Sequence, residues 1–363
     1  MLVVDRRLLS GVREARSGTD LQEFVQSALE LEHSTIPPYL TAYYTLRPGP
    51  NDDIAAAVRG VAIEEMLHMT IAGNLLIALG GRPRIADPGF VPDYPTVLPM
   101  NVGDSLVVGL AAYSPALVRD VFMRIEEPER PLEFPTGPQE IAADTSFATI
   151  GQFYEALRDK LVDLGDDAFV GDPLPQVVDS TWFPADQLFP IVDVDTAVHA
   201  LALVVQEGEG TASSPLDREG ELAHYYRFAE LFHGRRLVPD AAVAEGFSFS
   251  GPTVPFDAQG VWPMPPNPDT DDYPAGSRSR FMAERFADAY RRLLDALQQT
   301  FDGAPESLAT ALGLMFELRL VAQETLATPD PSGRPTGLCF RYPSPAGRAA
   351  ATVGGLRGSG ETG

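Results

Sequence analysis

The most restrictive feature of this chain is a pair of ionisable residues on a helical stripe that should be apolar. Ile54, Val58, Val61, Glu65, His68, Ala72, Leu75 and Leu79 advance by alternating steps of four and three, which puts them on one face of an α-helix. Glu65 and His68 therefore point inward. A second stripe, Leu21, Val25, Ala28, Glu32, Thr35, Tyr39 and Ala42, carries Glu32 in the same way. Burying an ionised carboxylate costs several kcal/mol unless a partner, a proton or a metal offsets it. The turn Pro48-Gly49-Pro50-Asn51 joins the two helices as an antiparallel hairpin, and Gly80-Gly81 closes the second helix. Glu32 lies 18 residues before Pro50, His68 lies 18 after it and Glu65 lies 15 after it. At ~1.5 Å per residue the three side chains sit at similar depth and can meet.

Helical periodicity returns at 150–164, 196–206 and 219–233, the last two forming a second hairpin across Gly210, Ser213, Ser214 and Pro215. Glu209 is six residues before Pro215, Glu221 six after it and His224 nine after it, so Glu221-x-x-His224 repeats Glu65-x-x-His68. One carboxylate from each of two helices plus a Glu-x-x-His from each of two others is the ligand set of ferritin-like di-iron and di-manganese bundles. Oxygen-rich ligation with two imidazoles suits iron or manganese rather than a thiolate-seeking metal. The candidate ligands are Glu32, Glu65, His68, Glu209, Glu221 and His224, with Glu207 competing with Glu209 for the third-helix position. Without a metal the same groups would form a buried hydrogen-bonded network, and Glu221 would be an acidic residue in a first helical turn. Glu230-x-x-His233 falls on another helix face and reads as a C-terminal charge pattern. His33 points about 100° away from Glu32, which suits a supporting role. Pro37 and Pro38 deprive the first helix of backbone donors just after Glu32, predicting a kink or bulge there. Tyr39 is the candidate catalytic side chain, a redox or hydrogen-bonding neighbour of the metals, against the alternative of an ordinary core aromatic.

These segments carry a resemblance. Leu29-Glu30-Leu31-Glu32-His33-Ser34-Thr35-Ile36-Pro37-Pro38-Tyr39-Leu40, Glu64-Glu65-Met66-Leu67-His68, Gly208-Glu209-Gly210-Thr211 and Glu221-Leu222-Ala223-His224-Tyr225-Tyr226-Arg227-Phe228 resemble the ferritin-like domain of iminophenylpyruvate dimer synthases, of violacein- and bisindole-type biosynthesis. The resemblance covers roughly residues 20–235 and extends more loosely through 114–128 and 150–164. It implies a ferritin-like bundle and oxidative chemistry on an amino-acid-derived metabolite. Ferritin-like proteins often carry a tyrosine two turns after the first ligand glutamate, which Tyr39 matches. The chain departs from the pattern in being much shorter than the violacein-type enzymes and in having Glu207 where glutamine is expected.

The fold expected is mainly all-α: a ferritin-like four-helix bundle over residues 1–235, with a Pro/Gly-rich insertion at about 82–147. That insertion should hold short strands near 105–110 and a helix at 114–125. A long loop at 234–273, read as a wrap or lid, leads to two additional C-terminal helices at about 278–300 and 305–328. These would pack on the bundle within a 236–342 unit, and a disordered tail would follow at 343–363. With 27 Lys+Arg against 51 Asp+Glu the formal charge is −24, which argues against nucleic-acid or membrane-surface partners. The single Cys339 permits no internal disulfide and fits a reducing, cytoplasmic setting. No apolar leader core and no run of about 20 apolar residues is evident. Lys160, the only lysine, sits among charged neighbours, which argues against Schiff-base chemistry.

The function expected is a non-haem dinuclear metal oxidase or oxygenase, holding two iron ions with manganese as the alternative, using dioxygen or a peroxide on a small-molecule substrate in specialised metabolism. A homo-oligomer is compatible with this. The alternatives are coupling of two imino acids, as the resemblance implies, and a ferroxidase or iron-binding protein without small-molecule catalysis.

Overall fold

The computed structural model describes residues 6–128, 150–209, 214–217 and 220–342. Most of the second half of the expected insertion and the expected tail at 343–363 lie outside the described residues.

A short helix α1 (Arg6–Glu14) leads into α2 (Gly18–Thr45), where the Ser17 hydroxyl accepts the Asp20 N–H and caps the first turn. After the turn at 48–51 the chain returns as α3 (Asp52–Ala78), antiparallel to α2. The predicted seam residues Leu21, Val25, Ala28, Ile54, Val58, Val61 and Leu75 are all at most 1% exposed. By length and composition α3 could cross a membrane, but 78% of its most apolar stretch is buried inside this protein, as in an ordinary core helix. α2 stays helical through both Pro37 and Pro38. The Ser34 carbonyl, which Pro38 leaves without its usual donor, accepts the Tyr94 hydroxyl at 2.7 Å.

The insertion forms a two-stranded antiparallel ribbon, β1 (Thr96–Leu98) with β2 (Val102–Val108), pairing Thr96 with Val108 and Val97 with Val107. A helical segment α4 follows, made of a turn at Pro115–Leu117, a π-helical turn at Val118–Phe122 and a last turn at Met123–Ile125. Its cap comes from Ser114, whose hydroxyl accepts the Leu117 N–H at 3.0 Å. Next come α5 (Ile150–Leu164), α6 (Val194–Glu209) and α7 (His224–His233), which complete the bundle around α2 and α3. The link after α5 passes close beneath the hairpin. A Cβ on Gly171 would lie 1.8 Å from the Ile77 carbonyl oxygen, so glycine is required there.

The 234–273 stretch packs Leu237, Phe247 and Phe249 against Leu222, Ala223 and Tyr226 at the start of α7. It contains the pair β3 (Val238–Pro239) and β4 (Phe247–Ser248) and then fastens to the turn of the α2–α3 hairpin. Asn51 Nδ2 donates to the Asp257 carbonyl at 2.9 Å, and the Trp262 N–H donates to the Thr45 carbonyl at 2.7 Å. The two C-terminal helices, α8 (Arg278–Phe301) and α9 (Ser307–Leu326), pair with each other and share one apolar core with the bundle, running from Leu9 to Tyr342. Cys339 is a free, buried thiol in a small satellite cluster with Tyr273 and Ala283.

Candidate metal centre

The inward glutamates and histidine of the hairpin do meet. His68 Nδ1 lies 3.8 Å from Glu32 Oε2 and 3.8 Å from Glu65 Oε1. His224 enters from the start of α7, its Nδ1 2.9 Å from Glu65 Oε1 and 3.3 Å from Glu126 Oε2. The two imidazoles stack with centroids 5.5 Å apart. Two triads result, Glu32–Glu65–His68 and Glu65–Glu126–His224, each with ligand-type atoms within 4.8 Å of one another. Glu65 belongs to both.

Each of these groups has a partner that fixes it. His68 Nε2 lies 2.9 Å from Glu207 Oε2, and His224 Nε2 lies 2.8 Å from Glu64 Oε2, so both rings turn Nδ1 toward the shared glutamate. A carboxylate on the far nitrogen orients a metal-binding imidazole and raises its basicity. Arg227 Nη1 donates to Glu64 at 2.5 Å. The Tyr154 hydroxyl donates to Glu32, and the Tyr39 hydroxyl donates to Glu126. Thr35 Oγ1 stands 3.1 Å from Glu65 Oε2. Tyr39 is held edge-on to Phe122 at 4.7 Å and tilted on Phe228 at 5.2 Å, which aims its hydroxyl at the carboxylate just past α4.

Crowding acidic groups in a dry interior shifts their protonation. Burial, reinforced by neighbouring Glu65, pushes Glu32 up to about 8. Burial and Glu126 likewise raise Glu65. Burial opposes a charge on His224, but hydrogen bonds to Glu126, Glu64 and Glu65 outweigh it and raise that imidazole well above its ordinary range. Glu64 goes the other way: burial would raise it, yet His224 and Arg227 together bring it down to about 2. Burial and adjacent carboxylates keep Tyr39 and Tyr154 as neutral phenols.

This donor set fits cations. Burial makes Glu32 and Glu65 hold protons more tightly than usual, and bound divalent ions would displace those protons, with imidazole nitrogens aimed between the carboxylates. Among the ligands expected from sequence, the structure brings together Glu32, Glu65, His68 and His224. It does not bring Glu221. That residue is exposed on the extended segment before α7, where its N–H donates to Asp217 Oδ1 at 2.8 Å. Gly220 at φ +86 and the Leu216–Leu222 bridge keep the segment out of the helix, so α7 starts at His224 and the Glu-x-x-His spacing loses its shared face. Glu209 ends α6, and its side chain lies outside the described residues; Glu207 is 4% exposed and supports His68. Glu230 is tied to Arg236 Nη1 at 2.6 Å and to the Leu237 N–H, away from the triads. His33 points away from the triads and pairs with Tyr290 of α8.

Glu126, Glu64 and Tyr154 escape a reading based on Glu-x-x-His. A signal for Glu126 exists: it directly follows the apolar stripe Val118, Phe122 and Ile125 of α4, all buried. Tyr154 continues the buried face of α5 with Phe153, Leu157 and Leu161.

The ferritin-like family model matches residues 25–233. The dichlorochromopyrrolate synthase of Lentzea aerocolonigenes is 26% identical over 314 residues, covering 77% of this chain. The match spans 29% of that enzyme's length. The crystal structure of a ferritin-like protein from Caulobacter vibrioides superposes with a TM-score of 0.57 at 22% identity, covering 89% of this chain and 97% of that one. Family model, helix arrangement and paired acidic triads agree, and the chain belongs to the ferritin-like family.

Proposed function

We propose that this protein is a non-haem dinuclear metal oxidase or oxygenase acting on an amino-acid-derived small molecule in specialised metabolism. One observation carries the reading: Glu65 is common to two three-residue groups and would serve as a ligand for both ions. Glu32 and His68 would complete one side, Glu126 and His224 the other, with iron favoured by the oxygen-rich donors and manganese the alternative. A bound pair of such ions would supply activation of dioxygen or a peroxide.

The chain's own residues do the rest. Glu207 and Glu64 would hold the Nε2 side of the two imidazoles, leaving Nδ1 to ligate once its proton is displaced. Tyr154 and Tyr39 steady the terminal carboxylates, and Tyr39 is the side chain we assign to hydrogen bonding beside the reacting centre. A cavity of about 50 Å³ adjoins the triads, walled by Leu31, Ile125, Ile150 and Val204. It suits a molecule the size of water or dioxygen, and its apolar walls limit bulk solvent. The Lentzea relative supports specialised metabolism as the setting. The partners in this reading are the small substrate and dioxygen or peroxide, with neither nucleic acid nor membrane, in the cytosol and in a homo-oligomer if copies associate.

Reconstitution with ferrous iron under anaerobic conditions should load about two equivalents per chain, and admitting air should consume oxygen. Failure of both ends the proposal. A second reading, coupling of two imino acids, draws on the same relative's being a synthase. An aromatic 2-imino acid generated in situ would then give an enzyme-dependent dimer by mass spectrometry, and a product equal to the background would reject it.

A further inference from the structure

Where the turn of the α2–α3 hairpin meets α9, the surface opens into a cavity of about 190 Å³. Three arginines line it, one from each side. Arg47 follows the end of α2, Arg59 stands on α3 one turn after Ala55, and Arg319 stands on α9 one turn before Gln323. The small Ala55 keeps the space between them open.

These arginines are not neutralised by the protein. On α8, Arg280, Arg285, Arg291 and Arg292 each meet a carboxylate within 3.3 Å. Among the described residues Arg47, Arg59 and Arg319 form no ion pair, although the chain carries 51 Asp+Glu. Aromatic faces hold two of them instead. The Arg47 guanidinium lies 4.0 Å from the centre of the Trp262 ring, and that of Arg319 lies 5.4 Å from the centre of Tyr43, itself a wall of the cavity. Stacking fixes a guanidinium without cancelling its charge or using the N–H groups at its edge. Trp262 is held in place by its own N–H, which donates to the Thr45 carbonyl at 2.7 Å.

Asp52 is the single acidic residue of the lining, and its Oδ1 accepts the Gly49 N–H at 2.8 Å. Three guanidinium charges against one carboxylate leave 3 − 1 = +2 around the space. Like charges held together repel, and an anion of matching charge relieves them.

We propose that this cavity binds a small dianion through guanidinium hydrogen bonds to its oxygens, a phosphate or a dicarboxylate. Guanidinium forks match both kinds of oxygen pair. The site is remote from the metal centre: Tyr43 is 43 − 32 = 11 residues beyond Glu32, ~16 Å along α2, and the two cavities share no lining residue. It does not rest on the function proposed for that centre.

The test uses the full chain, treated with chelator and desalted so that no probe binds through metal, and titrated by calorimetry at low ionic strength with inorganic phosphate, succinate and acetate. At least one dianion should bind at millimolar concentration or below, and acetate at least about tenfold more weakly. Binding of phosphate alone, or of succinate alone, assigns the source. Arg59 and Arg319 are exposed, so their removal leaves the core intact. Arg59→Gln and Arg319→Gln should each weaken the dianion about fivefold, and added salt should weaken it further. Arg278→Gln removes the same charge at the start of α8, outside the cavity, and should leave the affinity unchanged. The proposal is overturned if neither dianion binds, if acetate binds as well, or if Arg278→Gln weakens binding as much as the two cavity variants do. Since metal is absent throughout, none of these outcomes bears on the dinuclear reading.

Discussion

Removing metal from the centre should make the protein lose stability as the pH rises, and Glu32→Gln should remove much of that loss. Glu32 has an ordinary value of 4.5 and is pushed up to about 8 in the fold by burial and by Glu65. A folded value above the unfolded one means that the folded state holds the proton more tightly. The stabilisation is complete below 4.5 and fades as the pH passes through about 8. Between pH 6.5 and 8.5 the loss from this group amounts to roughly 2 kcal/mol, at 1.36 kcal/mol per pK unit. Raised Glu65 and His224 act in the same direction. Glu64, brought down to about 2, contributes nothing to the slope in this window. His33, which burial lowers to about 3, opposes the trend mainly below 6.5 and by only about 0.4 kcal/mol across this window. Urea denaturation of chelator-treated protein across this range measures the effect. Stability that is flat or rising in the wild type, or an unchanged slope in Glu32→Gln, would refute the electrostatic account. With metal bound the sign should reverse, because ligands must lose their protons to bind.

Metal content separates the ligands by position. Glu126→Ala should lower it from about two ions per chain to about one, while Glu221→Ala leaves it unchanged, as elemental analysis would show. Tyr154→Phe removes the hydroxyl that donates to Glu32 and should cost the metal-free protein about 1–2 kcal/mol at pH 8.5, read from the denaturation midpoint. Gly171→Ala forces a Cβ against the Ile77 carbonyl and should destabilise by about 3 kcal/mol without changing the metal-to-protein ratio of the folded fraction.

The hairpin was legible because its pattern is long: seven or eight seam positions at strict helical steps leave little freedom in which residues face inward. Glu32, Glu65 and His68 follow directly, and their depth from Pro50 places them together. The second hairpin offered a shorter pattern, and there local backbone preference decided. Gly220 takes a left-handed conformation and Ala223 an extended one, so the helix begins three residues later than Glu221 and only His224 reaches the centre. Glu126 stands where a π-helical turn brings the end of α4 against α7, a tertiary contact that periodicity does not encode. The 234–273 stretch has the composition of a lid, but Asn51 and Thr45 give its backbone groups partners at the hairpin turn, far along α2 from Glu32.

Diffraction data collected at the iron absorption edge, from crystals of protein reconstituted with ferrous iron, address the bridging glutamate directly. Two anomalous peaks should appear about 3.5–4 Å apart, one on each side of the Glu65 carboxylate, with Glu32 and His68 beside one and Glu126 and His224 beside the other. A single peak, or peaks bound at Glu221 with Glu65 unligated, would contradict the account.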